Sequence, residues 1–372
     1  MPRQQPNPAR PMHTTGPAGP GTSVAVFVGD APVLPGKPAF VRHPKEFIEA
    51  FSPRVTEGGP LSYVHDAVLG HFRNGGGGAW VIGTGGAEGR IAAYRSALDK
   101  LERLPEITLV VAPDLWRVAE EAHGIAREIA GHCRRVGRRV ALLHTRQGLD
   151  PADVRSRPFE LAEPEAQFVA VHYPWLIVTE TDGHERPVPP SGHVSGLCCR
   201  VDTERGVHAT PVGALVGVVK QERELTDAER ESVSAHGVNC LGSVPGRGIR
   251  VLGARTLSTE PDWADLSVRR LVNHARAALE QGTWWAAFDT NSASLRALIR
   301  HAATTILDGL WHQGALSGRS AAEAFEVVCD DSNNTHEDVA RGRVNLDIGL
   351  AAVRPAEFVT FRVQHEIGNR ST

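Results

Sequence analysis

The chain has 372 residues, 41% hydrophobic and 22% charged, with a net charge of −3 at pH 7. That length calls for two domains, or one large one with an addition, and the apolar content suffices for a buried core. Near-neutrality argues against nucleic acid as the main partner, and no apolar run of about 18 residues is present to span a membrane.

Residues 1–21 are rich in Pro and Gly, carry Arg3 and Arg10 and no acid, and read as a flexible arm that cannot fold alone. Order begins at Thr22, where TSVAVFVG reads as a strand ending at Gly29. HPKEFIEAF and LSYVHDAVLGHF read as helices, the second with Val64, Ala67, Val68 and Phe72 on one face and Asn74 or Gly75 at its C-cap. AWVIG then gives a buried strand. A helix over about 88–103, a strand ITLVVA, a helix over about 115–136 and strands RRVALLH and AQFVAVHY follow. This alternation predicts an α/β fold, a mixed and largely parallel sheet flanked by helices.

The second half is mixed. LTDAERESVSAHG reads as a helix with Thr226 and Glu229 at capping-box spacing. LSVRRLVNHARAALEQG is amphipathic through Val268, Leu271, Val272, Ala275, Ala278 and Leu279, and Gly282 ends it. TWWAAFD reads as a strand. SASLRALIRHAATTILDGLWHQG is a second long helix, its apolar face drawn through Leu295, Leu298, Ile299, Ala302, Ile306 and Leu310. FEVVC, VNLDIGL and EFVTFRVQHEI read as strands that close an α+β C-terminal domain. The expected organisation is an arm at 1–21, an α/β core at 22–245, a C-terminal domain at 246–367 that includes a terminal strand arm, and a tail at 368–372.

Enzyme signals are few. In AWVIGTGGAEGR a strand runs into Gly83, Gly85 and Gly86, but Glu88 stands where a dinucleotide fingerprint needs glycine, so a nucleotide- or dinucleotide-binding enzyme remains only as an alternative. The 17 histidines show no HExxH or HxH spacing, and His172, His184 and His193 have no ligand periodicity, so neither a metal nor any other cofactor is expected. Ser191 and His193 are two residues apart and cannot pair for catalysis by themselves. Ser191 instead reads as the cap of a helix opened by Pro189 and Pro190. Cys133, Cys198, Cys199, Cys240 and Cys329 form no CxxC pair and read as buried free thiols of a reducing compartment. In VPGRGIRVLGARTLS, Arg247, Arg250 and Arg255 alternate with Gly246, Gly248 and Gly253. The expectation is a tight corner whose arginines form ion pairs within or between subunits.

The chain resembles the contractile tail sheath family of phages, R-type bacteriocins and extracellular injection systems. The resemblance rests on TSVAVFVGDAPVLPGKPAFVRHPKEFIEAF, LSYVHDAVLGHFRNGGGGAWVI, PVPPSGHVSGLCCRVDTERGVHATP, VNCLGSVPGRGIRVLGARTLSTEPDW with VRRL, and AVRPAEFVTFRV, and covers about residues 22–367. It implies a core domain subtilisin-like in shape only, then a sheath domain, in a subunit that forms stacked rings around an inner tube. It implies itself, the tube protein, and baseplate and terminator proteins as partners, and no catalysis, nucleic acid or membrane binding. It also implies assembly in the bacterial cytoplasm, as part of a particle released by lysis. Many relatives begin with an extended strand resembling GVYVEE, and here that place holds the Pro-rich 1–21. A main sheath with a short arm and a minor paralogue at the baseplate or distal end both fit.

Three sets of residues follow as candidates. Glu357, Phe358, Val359, Phe361 and Val363 would form a strand arm that pairs partly with another subunit. Arg247, Gly248, Arg250, Gly253 and Arg255 would form the structural corner. Glu337, Asp338 and Arg341, on a short helix after the acidic and polar run DDSNNT, stand where the family's tube-attachment helix is expected.

Overall fold

A computed structural model describes residues 22–31, 36–51, 62–84, 89–154, 158–179 and 183–367. The chain divides into two compact units. One gathers the described residues up to Glu204 together with Thr210–Leu266, and the other gathers Arg205–Ala209 with those from Ser267 on.

The first unit is built on strands that are buried along their whole length. They begin with β1 (Ala25–Gly29), followed by β2 (Ala39–Val41), α1 (Pro44–Phe51), α2 (Tyr63–Arg73), β3 (Ala79–Gly83), α3 (Arg90–Leu101), β4 (Leu109–Val111), α4 (Ala119–Val136), β5 (Val140–His144) and β6 (Val169–Tyr173). Every residue of β1, β3, β4, β5 and β6 is buried. A parallel strand covered on both faces needs a continuous apolar run, and AVFVG, AWVIG and VALLH supply one. Next come β7 (Leu176–Thr179), β8 (Glu185–Val188), α5 (Ser191–Arg205), β9 (Gly213–Ala214), β10 (Lys220–Gln221), α6 (Asp227–Ala235), β11 (Val238–Val244) and β12 (Gly248–Val251). The main sheet has nine strands in the order β2-β3-β1-β4-β5-β6-β11-β12-β9, parallel from β3 to β11 and antiparallel at both ends. A small antiparallel sheet, β10-β7-β8, stands beside it.

Local signals explain several boundaries. The capping box of Thr226 and Glu229 opens α6. Asn74 closes α2, its Nδ2 donating to Gly70 O and Val216 O while its Oδ1 accepts from Val216 N–H. Ser191 is not the cap of α5. The bond from Val194 N–H to Pro190 O makes Pro190 the flanking residue and puts Ser191 inside the first turn. The stretch expected as one helix over 115–136 is a 3-10 turn at Leu115–Arg117 and then α4. The expected domain boundary at 245/246 falls in the tip of the β11–β12 hairpin, whose strands share one sheet.

Helix α5 is buried almost all round, including Gly192, His193, Ser195, Gly196, Cys198 and Cys199. Its small residues allow α2 to approach closely. A Cβ on Gly196 would lie 2.2 Å from the His71 carbonyl oxygen, and one on Gly192 would lie 2.4 Å from the Ala67 backbone. Neither neighbour is a side-chain end that can swing away. Gly196→Val is therefore expected to cost about 3 kcal/mol, the upper end for overpacking, and to lower the melting temperature of the purified chain.

The second unit holds α7 (Leu266–Gly282), α8 (Ala293–His312), α9 (Ala321–Ala324), β13 (Phe325–Val328), α10 (His336–Ala340), β14 (Arg343–Leu350) and β15 (Val359–Glu366). Its sheet has the order β13-β14-β15, antiparallel throughout. TWWAAFD, expected as a strand, is a 3-10 helix at Trp284–Phe288, with Trp284 and Phe288 exposed. The buried face of α8 also differs from expectation: Leu295, Ile299, Ala303, Leu307 and Leu310 are buried, while Leu298 is 56% exposed. Arg296 occupies the buried stripe too, held by Asn291 and Asp331, and rotates the face away from Leu298.

Candidate functional site

In doubly wound sheets, ligands bind beyond the carboxyl ends of strands where the chain order reverses. Here that crevice lies past β1, between β3 and β4, and among the described residues charged side chains line it. Asp114, fully buried, accepts from the backbone N–H groups of Asp30 and Tyr63 and from the Ser62 hydroxyl. Burial pushes its carboxyl up. Arg90 and Arg117 pair with Asp30 at 3.2 and 3.3 Å, and Arg90 also donates to Asp114 O. Gly85, Gly86 and Glu88 of the glycine-rich turn lie outside the described residues. Among the described residues, no group of three or more His, Cys, Asp or Glu side chains is placed to hold a metal ion. All five cysteines are buried and none is in a disulfide.

The arginine–glycine segment is the hairpin of β11 and β12. Gly246 and Gly248, at φ of 71° and 68°, flank the turn, which closes from Arg247 N–H to Val244 O. A left-handed backbone at both positions explains the glycines. Within a single chain, ion pairs of the arginines do not hold the corner. Arg247 and Arg255 are exposed, Arg250 is half-buried, and none makes an ion pair among the described residues. The residue that does hold it is buried Asn239, which sequence reasoning missed. Its Nδ2 donates to Val171 O and Arg255 O, and its Oδ1 accepts from Arg255 N–H at 2.6 Å. Asn239→Ala strands these three groups and is expected to cost about 2 kcal/mol. Arg255→Lys should shift stability by less than about 0.5 kcal/mol. Denaturant titration of the two variants side by side checks the contrast.

The candidate arm is β15, already paired along its length with β14 of the same chain, from Leu350↔Val359 to Arg343↔Glu366. Val359 and Val363 are buried, Phe361 lies under the Arg276 guanidinium, and Thr360, Arg362, Gln364 and Glu366 are on the other face or exposed. Glu357 pairs with Arg354 just before the strand, and Phe358 packs over Gly349. β15 is an edge strand, so any pairing with another chain uses its outer side.

The candidate attachment helix, α10, is held by asparagines. Asn333 Nδ2 donates to Val328 O, Asn345 O and Asp347 Oδ2. Asn334 Nδ2 donates to Asp330 O and Asn345 O while its Oδ1 accepts from Asn345 N–H. These bonds fasten the DDSNN loop to β14. Asp338 closes a capping box with Thr335 and pairs with Arg343 at 2.7 Å. The Thr335 hydroxyl, as first cause, holds its carboxyl below the usual range. Glu337 and Arg341 pair with each other at 2.5 Å on the exposed side. Of the three candidates, only Glu337 and Arg341 are thus presented outward, and Asp338 serves the helix itself.

A largely parallel sheet covered by helices, followed by a small antiparallel sheet, is the architecture of contractile tail sheath proteins, and the comparisons agree. The phage tail sheath protein central domain matches residues 92–257, and the phage tail sheath C-terminal domain matches residues 258–366. This chain belongs to the contractile tail sheath family. The helical sheath of the anti-feeding prophage in its contracted state aligns over 97% of both chains, with a TM-score of 0.75 and 25% identity. The anti-feeding prophage baseplate structure aligns over 97% of this chain and 96% of its own, with a TM-score of 0.76 and 25% identity. A prophage major tail sheath protein of Pseudomonas aeruginosa (strain UCBPP-PA14) is 26% identical over 300 residues, 76% of this chain and 72% of that protein. The tail sheath protein of Enterobacteria phage T4 is 26% identical over 180 residues, and the matched part is 47% of this chain but only 26% of the phage protein.

Proposed function

We propose that this chain is a structural subunit of a contractile sheath, one that polymerises around an inner tube, contracts to drive it, and catalyses no reaction of its own. The likeness to the contracted anti-feeding prophage sheath along nearly the whole of both chains is the observation that carries this reading. Extended strands joining neighbouring sheet edges would keep copies linked while their bodies rotate. Contraction would draw on apolar area gained at a better-buried interface. At about 25 cal/mol per Å², a few hundred Å² per copy gives several kcal/mol without a nucleotide. The equally high likeness to the anti-feeding prophage baseplate favours a second placement, as a sheath-type subunit at the baseplate.

Glu337 and Arg341 are the proposed tube contacts. Exchanging them, as Glu337→Lys with Arg341→Glu, keeps an i,i+4 pair on α10, leaves Asp338 and its cap intact, and inverts the outward charge pattern. Co-expressed with the tube, the exchanged chain is expected to give empty or contracted sheath in electron micrographs. Normal tube-filled particles would remove α10 as the contact, and absence of any ring or tube from the unaltered chain would remove the sheath reading.

A further inference from the structure

The arginine–glycine segment leaves an open face at one end of the main sheet. Arg250 of β12 stands between Gly242 of β11 and Ala214 of β9, each directly opposite it. Residues opposite one another share a face, so this guanidinium is flanked by two residues with little or no side chain. Leu252 lies on the same face and is 41% exposed. A Cβ on Gly242 would meet it and Arg230. Arg230 is paired with Asp227, whereas Arg250 makes no ion pair among the described residues. At the rim, Leu215 N–H donates to Ile249 O. The next residue, Val216, is 52% exposed and is held by Asn74 through both of its backbone groups. The face is thus shallow, apolar around its edge and fixed in place, with one cation at its centre.

The second unit carries the matching chemistry. Trp284 and Phe288 are 61% and 80% exposed and stand edge to face, their ring centroids 5.5 Å apart. Asp289 follows, exposed, its carboxylate accepting from Thr290 N–H and making no ion pair among the described residues. Aromatic rings and a carboxylate are what a guanidinium on an apolar face takes best, by stacking and by charge. The other exposed apolar side chains lack the combination. Leu298 is followed by Arg300 and His301, and Val353 by Arg354. Val339 neighbours Asp338, which is spent on Thr335 and Arg343. Ile48 stands beside Glu49 but alone, with Lys45 one turn away on its own face.

We infer that the Trp284–Asp289 turn of one copy seats on the Arg250 face of another, with Asp289 against the guanidinium and the two rings over Ala214 and Leu252. Both surfaces are exposed in their own chain, so the contact joins different copies. Because the two surfaces differ, it is head-to-tail and propagates. The inference rests on the sheath reading and adds to it one junction between copies. Full-length chain is assembled and read by sedimentation and electron microscopy. Asp289→Arg and Arg250→Glu each set like charges together. Each is expected to raise the concentration needed for polymers roughly tenfold or more, with an unchanged melting temperature. The chain carrying both exchanges restores the pair and is expected to polymerise within about threefold of the unaltered one. Mixed polymers of Leu252→Cys chains and Phe288→Cys chains should oxidise to a linked pair that neither chain forms alone. If Arg250→Glu lowers the melting temperature, this disulfide decides. Single exchanges that polymerise normally, a double exchange no better than either single one, or mixed polymers without the disulfide overturn the inference and leave the sheath reading standing. An unaltered chain that forms no polymer removes both.

Discussion

Gln364→Pro is expected to abolish extended polymers while the isolated chain stays folded. Ile367 N–H donates to Gly342 O, so the ladder between β14 and β15 is bonded at alternate positions, with 363 and 365 facing β14. The N–H groups of Thr360, Arg362, Gln364 and Glu366 then point to the outer edge. Proline at an outward position of an edge strand keeps the inner ladder and removes one donor to an added strand. Val363→Pro instead breaks an inner bond at a buried residue and should cost about 3 kcal/mol or more of stability. Melting curves and electron micrographs of both variants decide the matter. A Gln364→Pro chain that polymerises normally would exclude the outer edge of β15 as a junction. Deleting everything from Glu357 is a poorer test, because it uncovers Val344, Leu346, Ile348 and Leu350 of β14 and unfolds the unit as well.

Acid is expected to unfold the first unit well above the pH at which ordinary carboxylates titrate. Five of its histidines are buried: His71, His132, His144, His172 and His193. Burial, the leading cause in each, lowers His71, His172 and His193 to about 4 and His132 and His144 to about 3. The unfolded chain takes up protons near 6.5, whereas the folded one resists until about 4. Stability that is full above 6.5 is therefore lost as pH falls through that window. By pH 5 each imidazole accounts for about 2 kcal/mol of loss, and five together rival a typical folding free energy of about 5–15 kcal/mol. Asp114, whose carboxyl is pushed up, acts in the opposite sense but is one group against five. Melting temperatures recorded from pH 7.5 to 5 should fall steeply, and His144→Gln should flatten the fall. A level profile would mean that these imidazoles take up protons at the same pH in the folded chain as in the unfolded one.

The parts of the fold that were legible in the sequence are those whose signal is local. AWVIG and VALLH announce doubly covered strands by composition alone, and Thr226 with Glu229 announces a helix start by spacing. The elements that were missed depend on partners distant in the chain. β2 spans Ala39–Val41 and exists because Trp80 and its neighbours on β3 accept it, and β10 is only two residues, Lys220 and Gln221, that pair with Ile177 and Leu176 of β7. WWAAF is rich enough in aromatics to suggest a strand, yet no strand among the described residues pairs with it and it coils into a 3-10 turn. The terminal strand and the glycine corner were visible, but the atoms that hold them were not. Asn239, Asn333, Asn334 and Asn345 act through carbonyls brought from elsewhere, and asparagine in a sequence carries no sign of which backbone it will bind. The family itself was carried by the order of GRGIRVLGARTL and PAEFV, a pattern that no single element explains.

A particle that waits before it acts must also outlast its own chemistry. Asn74 precedes Gly75, the pairing in which a backbone nitrogen most readily attacks the asparagine amide and releases ammonia. Here the amide is engaged at both ends by Gly70 and Val216, the Gly75 N–H is bonded to Phe72 O, and Arg200 packs against the glycine. The reaction needs these groups free to rotate, so it stays shut while the fold is closed. A deamidated Asn74–Gly75 peptide in an aged preparation would accordingly mark chains that had opened at some earlier time, and its share would record how often the first unit lets go.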